Sequence, residues 1–307
     1  MTAMHSYTVI AVEREDHVAT LWLDRPDARN AMGPEFFTEL PIAMNELSAD
    51  TEVRAVILAA RGPHFSVGLD LKAMAGPLTG AGVGAGATES PDDQHAPPLP
   101  APQNTPPLPA PDQPTPSVAY KAWLARAEIL RLQRSISSVA ACPKPVIAAV
   151  HGYCIGGGVD LVSACDIRLA SMDAIFSLRE TKVAIVADLG SLQRLARIVG
   201  KGHLAELAYT GKDILALRAK EMGLVNDVLP DAGSAVLAAR KMAGEIAANS
   251  PLAVQGTKAV LAACESRSVA EGLDYVATWN AGFLESDDLA EAMTAFLTKR
   301  PPEFKGR

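Results

Sequence analysis

Long apolar runs are missing from this sequence of 307 residues. Without about eighteen such residues in a row there is no transmembrane helix, so no membrane partner is expected. The segment from Met1 to Tyr7 has no basic-then-apolar layout of a signal peptide, and the end at Arg307 has no Ser-Lys-Leu address. The expectation is a cytoplasmic protein. Cysteine is scarce, and Cys142, Cys154, Cys165 and Cys264 form neither a CxxC pair nor a Cys/His zinc spacing; none of the six histidines has ligand spacing either. Disulfide and metal sites are therefore not expected. Basic residues are in deficit, 28 against 35 acidic, for a net charge of −7. That argues against nucleic acid as a partner, and an anionic ligand would need a local basic patch. Also absent are G-x-G-x-x-G, the GK[ST] ending and the G-x-S-x-G elbow, which disfavours dinucleotide binding, nucleoside triphosphate binding and serine hydrolysis.

What is present is enough apolar sequence, 49% of the chain, to bury a large core. Residues 7–12 and 17–23 read as a β-hairpin, and Pro34 opens a helix to about Leu47. The apolar runs Val53–Ala60 and Pro145–Val150 read as buried strands. Strands alternating with helices point to an α/β fold. From 76 to 117 the composition turns to Pro, Gly and Ala, which cannot bury enough surface to offset chain entropy. This reads as an extended or disordered insertion, with polyproline recognition as an alternative. Ser117 then caps a helix to about Ala140. Beyond Pro230 the pattern is helical throughout, at roughly 232–249, 251–265, 268–285 and 287–298. The expected division is a core over 1–230 and a C-terminal helical domain over 231–307.

Three segments could carry chemistry. The strand 146–150 runs through His151 into Gly156, Gly157 and Gly158 and then a helix bearing Asp160; such a turn leaves N–H groups free to stabilise an anion, or serves packing alone. His151 is expected to satisfy a backbone group near that turn. The loop after strand 53–60, Arg61 to Lys72, lies where α/β folds place ligands and can supply a second donor, or be a plain turn. The third segment holds Glu180 and Asp188. Asp188 closes a five-residue apolar stretch, so desolvation can raise its pKa towards the range of general acid–base work. Alternatively it caps a helix over Leu189–Val199, and Glu180 is merely solvated.

These motifs resemble the crotonase (enoyl-CoA hydratase/isomerase) superfamily from about Tyr7 to Leu297, apart from the proline-rich stretch. The resemblance rests on DRPDARN (24–30), FSVGLDL (65–71), KPVIAAVHG (144–152), the glycines 156–158 and CDIR (165–168), in family order. It implies a spiral of ββα units, a C-terminal helical oligomerisation domain, and a homotrimer that can stack into a hexamer. It also implies an acyl-CoA substrate, with the Val67 and Gly157 N–H groups as an oxyanion hole. CoA would lie against Arg25, Ala28, Val67, Gly68, Leu69, Asp70, Leu71 and Lys72, with Arg25 and Lys72 as phosphate partners. No cofactor is implied, coenzyme A being part of the substrate.

The acids Asp160, Glu180 and Asp188, with ADLGSLQRL (187–195) and LDYVATWN (273–280), are similar to those of the branch that converts 3,5-dienoyl-CoA to 2,4-dienoyl-CoA in fatty-acid β-oxidation. That conversion removes a proton at C2 and delivers one at C6, which two acids at different depths can do. The resemblance puts Glu180 at C2 and Asp188 at C6, with Asp160 orienting the pair. A 2-enoyl-CoA hydratase and an inactive CoA-binding scaffold are the competing expectations.

Overall fold

The computed structural model describes residues 6–74 and 116–307; apart from 116 and 117, the expected insertion lies outside the described residues. Strand β1 (Ile10–Glu15) pairs antiparallel with β2 (Val18–Leu23) around Asp16 and His17, both at positive φ. Two consecutive positive φ values match the twist of a tight hairpin. The first strand lies three residues later than the apolar pattern suggests, its polar Glu13–Glu15 end still pairing with β2 because an edge strand can leave such side chains in solvent.

Parallel pairing then adds β3 (Ala55–Ala60), β4 (Val146–Val150), β6 (Ile167–Ser171) and β9 (Asp227–Leu229), giving the order β1-β2-β3-β4-β6-β9. Every residue of β3 and β4 is buried, as their unbroken apolar runs require of strands covered on both faces. A second sheet joins β5 (Tyr153–Ile155), β7 (Ile175–Ser177) and β8 (Ile214–Leu215). The chain leaves β4 in the large sheet and enters β5 in the small one within three residues, and the glycine turn follows directly.

Helix α1 (Pro34–Ala49) starts on a proline, whose missing N–H costs nothing there, and buries Phe36, Phe37, Leu40, Ala43, Met44 and Leu47 along one stripe. The buried Lys144 ammonium donates to the carbonyls of Leu47 (2.5 Å) and Asp50 at its end. Helix α2 (Val118–Ala141) is capped as expected, the Ser117 hydroxyl accepting the Tyr120 N–H at 3.2 Å, and packs along α1.

The C-terminal helices differ in what they pack against. Helix α7 (Ala232–Ala247), preceded by α3 (Gly157–Ser163), α4 (Ser191–Ile198), α5 (Gly200–Thr210) and α6 (Ala216–Glu221), lays Ala239 and Ala243 on Ala55, Ile57, Ile147 and Ala149 of the large sheet. Small side chains bring it close to the strands, so by packing it is part of the core although its sequence pattern resembles that of its successors. Helices α8 (Pro251–Cys264), α9 (Val269–Phe283) and α10 (Asp287–Thr298) lie beyond it and expose Leu261, Leu273, Phe283, Met293 and Phe296. Among the described residues no helix is long and apolar enough to cross a membrane.

Candidate active site

Two loops meet at the ends of the strands. Gly68, at φ +85°, packs so closely that a β-carbon there would lie 2.7 Å from the Ile155 oxygen and 3.2 Å from the Gly157 nitrogen. Only glycine allows that approach in that conformation. The loop is held from behind by Asn30, whose side-chain amide donates to the carbonyls of Arg61 (2.9 Å) and His64 (2.8 Å) and whose side-chain oxygen accepts the Arg25 N–H (2.8 Å). The Ser66 hydroxyl donates to the Asn30 backbone carbonyl at 2.8 Å. Nearby, His151 Nε2 pairs with the Gly62 carbonyl at 2.8 Å, the backbone role expected of it.

Which N–H groups remain open can be read by elimination. Val67 N–H donates to the Arg29 carbonyl (3.2 Å), Gly68 N–H to the Ser66 hydroxyl (3.1 Å) and Asp70 N–H to the Met32 carbonyl (3.0 Å). Leu69 N–H has no acceptor among the described residues, and neither does Gly157 N–H, the first of α3. A β-carbon on Gly157 would come to 3.7 Å from the Leu69 nitrogen, so the two donors lie side by side. The expected donor Val67 is therefore corrected to Leu69. The motif located the loop but not the residue, because the turn at Gly68 decides which N–H faces Gly157.

The expected basic patch also changes. Arg25 donates to the Ala31 carbonyl (3.2 Å) and pairs with Asp70 (3.6 Å), so it ties the 25–31 segment to the 67–72 loop rather than projecting outward. Lys72 is exposed and makes no ion pair among the described residues, and Leu71 beside it is about half exposed. Ala28 is half-buried at the end of a 3-10 turn, Pro26–Ala28. Arg29, next to it, is exposed at φ +53° and was not singled out in the sequence.

The three acids lie near enough to feel one another's charge, with Glu180 beside the glycine turn. Asp160 is 2% exposed on α3, and its Oδ1 accepts the Ser191 N–H at 2.7 Å. Burial pushes its pKa up to about 6 against the opposing pull of the Ser191 hydrogen bond, with the Asp188 charge adding to the rise and Arg194 reducing it. Glu180 opens a 3-10 turn, Glu180–Val183, with Oε1 3.1 Å from where a β-carbon on Gly156 would stand. Its Oε2 is buried without a partner among the described residues. Burial, and then the nearby Asp160 and Asp188 charges, raise its pKa to about 7 despite a backbone hydrogen bond. Asp188 is half-buried and raised chiefly by burial. Helix α4 begins at Ser191 after Gly190, so Asp188 is not its cap and Glu180 is not a solvated surface acid. No salt bridge neutralises any of the three among the described residues. Desolvation and the neighbouring acids disfavour the charged forms of Asp160 and Glu180, so a proton on either is held and exchanged near neutral pH, while burial alone shifts Asp188 in the same direction.

Comparison with known proteins fits this arrangement. The Enoyl-CoA hydratase/isomerase family model matches residues 13–85 and 124–307. The chain belongs to the enoyl-CoA hydratase/isomerase family. The unmatched residues fall mostly within the Pro/Gly/Ala-rich stretch. Among curated relatives, the mitochondrial Delta(3,5)-Delta(2,4)-dienoyl-CoA isomerase of Dictyostelium discoideum is 42% identical over 97% of this chain and 92% of its own. The peroxisomal enzyme of that name from Arabidopsis thaliana is 40% identical over 98% of both chains, and the human mitochondrial one 39% over 95% and 80%. Among solved structures, an enoyl-CoA hydratase from Bacillus anthracis superposes with a TM-score of 0.79 at 29% identity, covering 98% of this chain and all of that one. The crotonase fold expected from the motifs is thus the fold found. The cytoplasmic expectation is overturned, since these relatives are named as mitochondrial or peroxisomal.

Proposed function

We propose that this chain isomerises a 3,5-dienoyl-CoA to the 2,4-dienoyl-CoA, as its relatives' names describe for them, in fatty-acid β-oxidation. The observation that carries this reading is the pair Glu180 and Asp188: two desolvated carboxylates without a salt bridge among the described residues, one beside the glycine turn and one on the next segment. The thioester oxygen would sit between the Leu69 and Gly157 N–H groups, which stabilise negative charge as it develops. Glu180, ionised, takes the C2 proton; the electron pair moves through the diene, and protonated Asp188 delivers a proton to C6. A proton passing from Glu180 to Asp188 directly or through solvent restores both. Each positioned acid or base is worth about 10²–10⁴-fold. The step involves no net oxidation, so it calls for no redox cofactor; coenzyme A enters as part of the substrate.

Asp160 is not placed among the proton carriers, because its carboxylate is engaged with the start of α4. The CoA moiety would lie over Ala28 and the Gly68–Lys72 loop, with Lys72 and Arg29 as its exposed cations. The apolar side chains exposed on α8–α10 fit an oligomerisation layer, in a homotrimer or a hexamer of two trimers, which sedimentation would test.

A second reading, 2-enoyl-CoA hydratase, draws support from the hydratase titles of solved neighbours at 26–29% identity. Supplying the purified protein with a 3,5-dienoyl-CoA and, separately, crotonyl-CoA decides between them. The isomerase reading expects a rise in conjugated-dienoyl absorbance with the first substrate and slow hydration of the second. Fast hydration with no such rise would overturn it, and turnover of neither would favour the inactive scaffold.

A further inference from the structure

The segment that presents Asp188 is anchored by groups that the proposed reaction leaves unused. Gln133, on α2, donates from Nε2 to the Asp188 carbonyl at 2.6 Å. One helical turn further, the Ser137 hydroxyl accepts from Arg194 Nη2 at 2.9 Å, while Nη1 of the same guanidinium donates to the Leu189 carbonyl at 3.2 Å. Residues 133 and 137 are four apart, so both contacts leave one face of α2. The Nη1 end of the guanidinium crowds Gly190, where a β-carbon would lie 2.0 Å from it. Two consecutive peptide carbonyls, those of Asp188 and Leu189, are therefore tied to a single helix face, one directly and one through Arg194.

We propose that Gln133, Ser137 and Arg194 form a positioning clamp that sets the depth of Asp188 in the acyl site and so governs proton delivery at C6 without acting at C2. The inference rests on the assignment of Asp188 to C6 given above. The geometry separates the two ends of the reaction. Glu180 belongs to the 3-10 turn that follows β7 and is fixed by the Ile185 N–H bonding the Glu180 carbonyl at 2.9 Å and by the Gly156 N–H bonding the Ser177 carbonyl at 2.9 Å, neither of which involves α2. Asp188 has the clamp. Arg194 also lies near enough to Asp160 to favour its ionised form, so the clamp and the α4 cap share one cation. Because α2 is the first helix after the Pro/Gly/Ala-rich stretch, a shift of α2 along its axis would move the carboxylate at 188 and leave the one at 180 in place.

The test uses full-length Gln133→Ala, Arg194→Ala and Arg194→Lys proteins with a 3,5-dienoyl-CoA in D2O, following deuterium incorporation at C2 and formation of the 2,4-dienoyl product. The clamp predicts that Gln133→Ala and Arg194→Ala lose tenfold or more in product formation while C2 exchange stays within about twofold of the parent protein. Arg194→Lys, which keeps the charge and can reach one acceptor, recovers part of the loss. A fall of C2 exchange and isomerisation in parallel, as general loosening of the fold would give, overturns the clamp; so does retention of both. An Asp188→Asn control that still isomerises would instead overturn the acid assignment on which the clamp rests.

Discussion

Helices α3 and α4 treat their first N–H in opposite ways. Helix α3 starts on Gly157, whose N–H is left open beside that of Leu69. Helix α4 starts on Ser191, whose N–H is filled by the carboxylate of Asp160 at 2.7 Å. A helix start offers donors and a favourable field for negative charge whoever supplies that charge. Here the protein supplies it at α4, and on the proposed reading the substrate supplies it at α3. That reading gives the three neighbouring acids different parts, Asp160 bonded to the start of α4 and Glu180 and Asp188 left for protons.

Closing the open start should have the largest effect. Gly157→Ala places a methyl 3.7 Å from the Leu69 nitrogen and 3.2 Å from Met32 Sδ, crowding the space between the two donors. The expected outcome is a loss of about 10²–10³-fold in kcat, comparable to removing an oxyanion donor, with melting temperature little changed; steady-state kinetics and thermal unfolding check it. If kcat is retained, the donor pair is not where the negative charge develops.

The desolvated base offers the next effect. The Glu180 pKa is raised in the folded protein, so its ionised form costs stability; the cost is absent below the ordinary carboxylate range and complete above about pH 7. Glu180→Gln should therefore stabilise the protein by about 2 kcal/mol at pH 8 and by nothing at pH 4. Denaturant unfolding at the two pH values measures the difference. Equal effects at both would mean that burial does not perturb this acid.

The smallest effect concerns the closed start. Asp160→Asn keeps an oxygen to accept the Ser191 N–H, whereas Asp160→Ala does not. At pH 8 the asparagine variant should be the more stable of the two by about 1 kcal/mol, the usual worth of such a cap. Equal stabilities would make the Asp160–Ser191 bond idle and dissolve the contrast between the two helix starts.

Much of this was legible in the sequence, and the parts that were not have a common cause. Patterning alone places β3, β4, α1 and the Ser117 cap, because these depend on local apolar periodicity and on one capping side chain. The motifs place the glycine turn and the three acids. What sequence could not resolve were choices between neighbours made by tertiary contacts: Leu69 over Val67, decided by the close approach of Gly68 to Ile155 and Gly157; Arg25 turned inward by Asp70 and the Ala31 carbonyl; α7 claimed by the sheet through its alanines. Asp160 is the sharpest case. The resemblance implies its orienting role, but its partner, the Ser191 N–H 31 residues on, is a tertiary contact that no local pattern shows.

The claim that Glu180 serves C2 and Asp188 serves C6 is tested most directly by comparing Glu180→Gln and Asp188→Asn with a 3,5-dienoyl-CoA in D2O. The account predicts that Asp188→Asn still exchanges deuterium into C2 while forming no 2,4-dienoyl product, and that Glu180→Gln does neither. Exchange at C2 that survives in Glu180→Gln and vanishes in Asp188→Asn would contradict it.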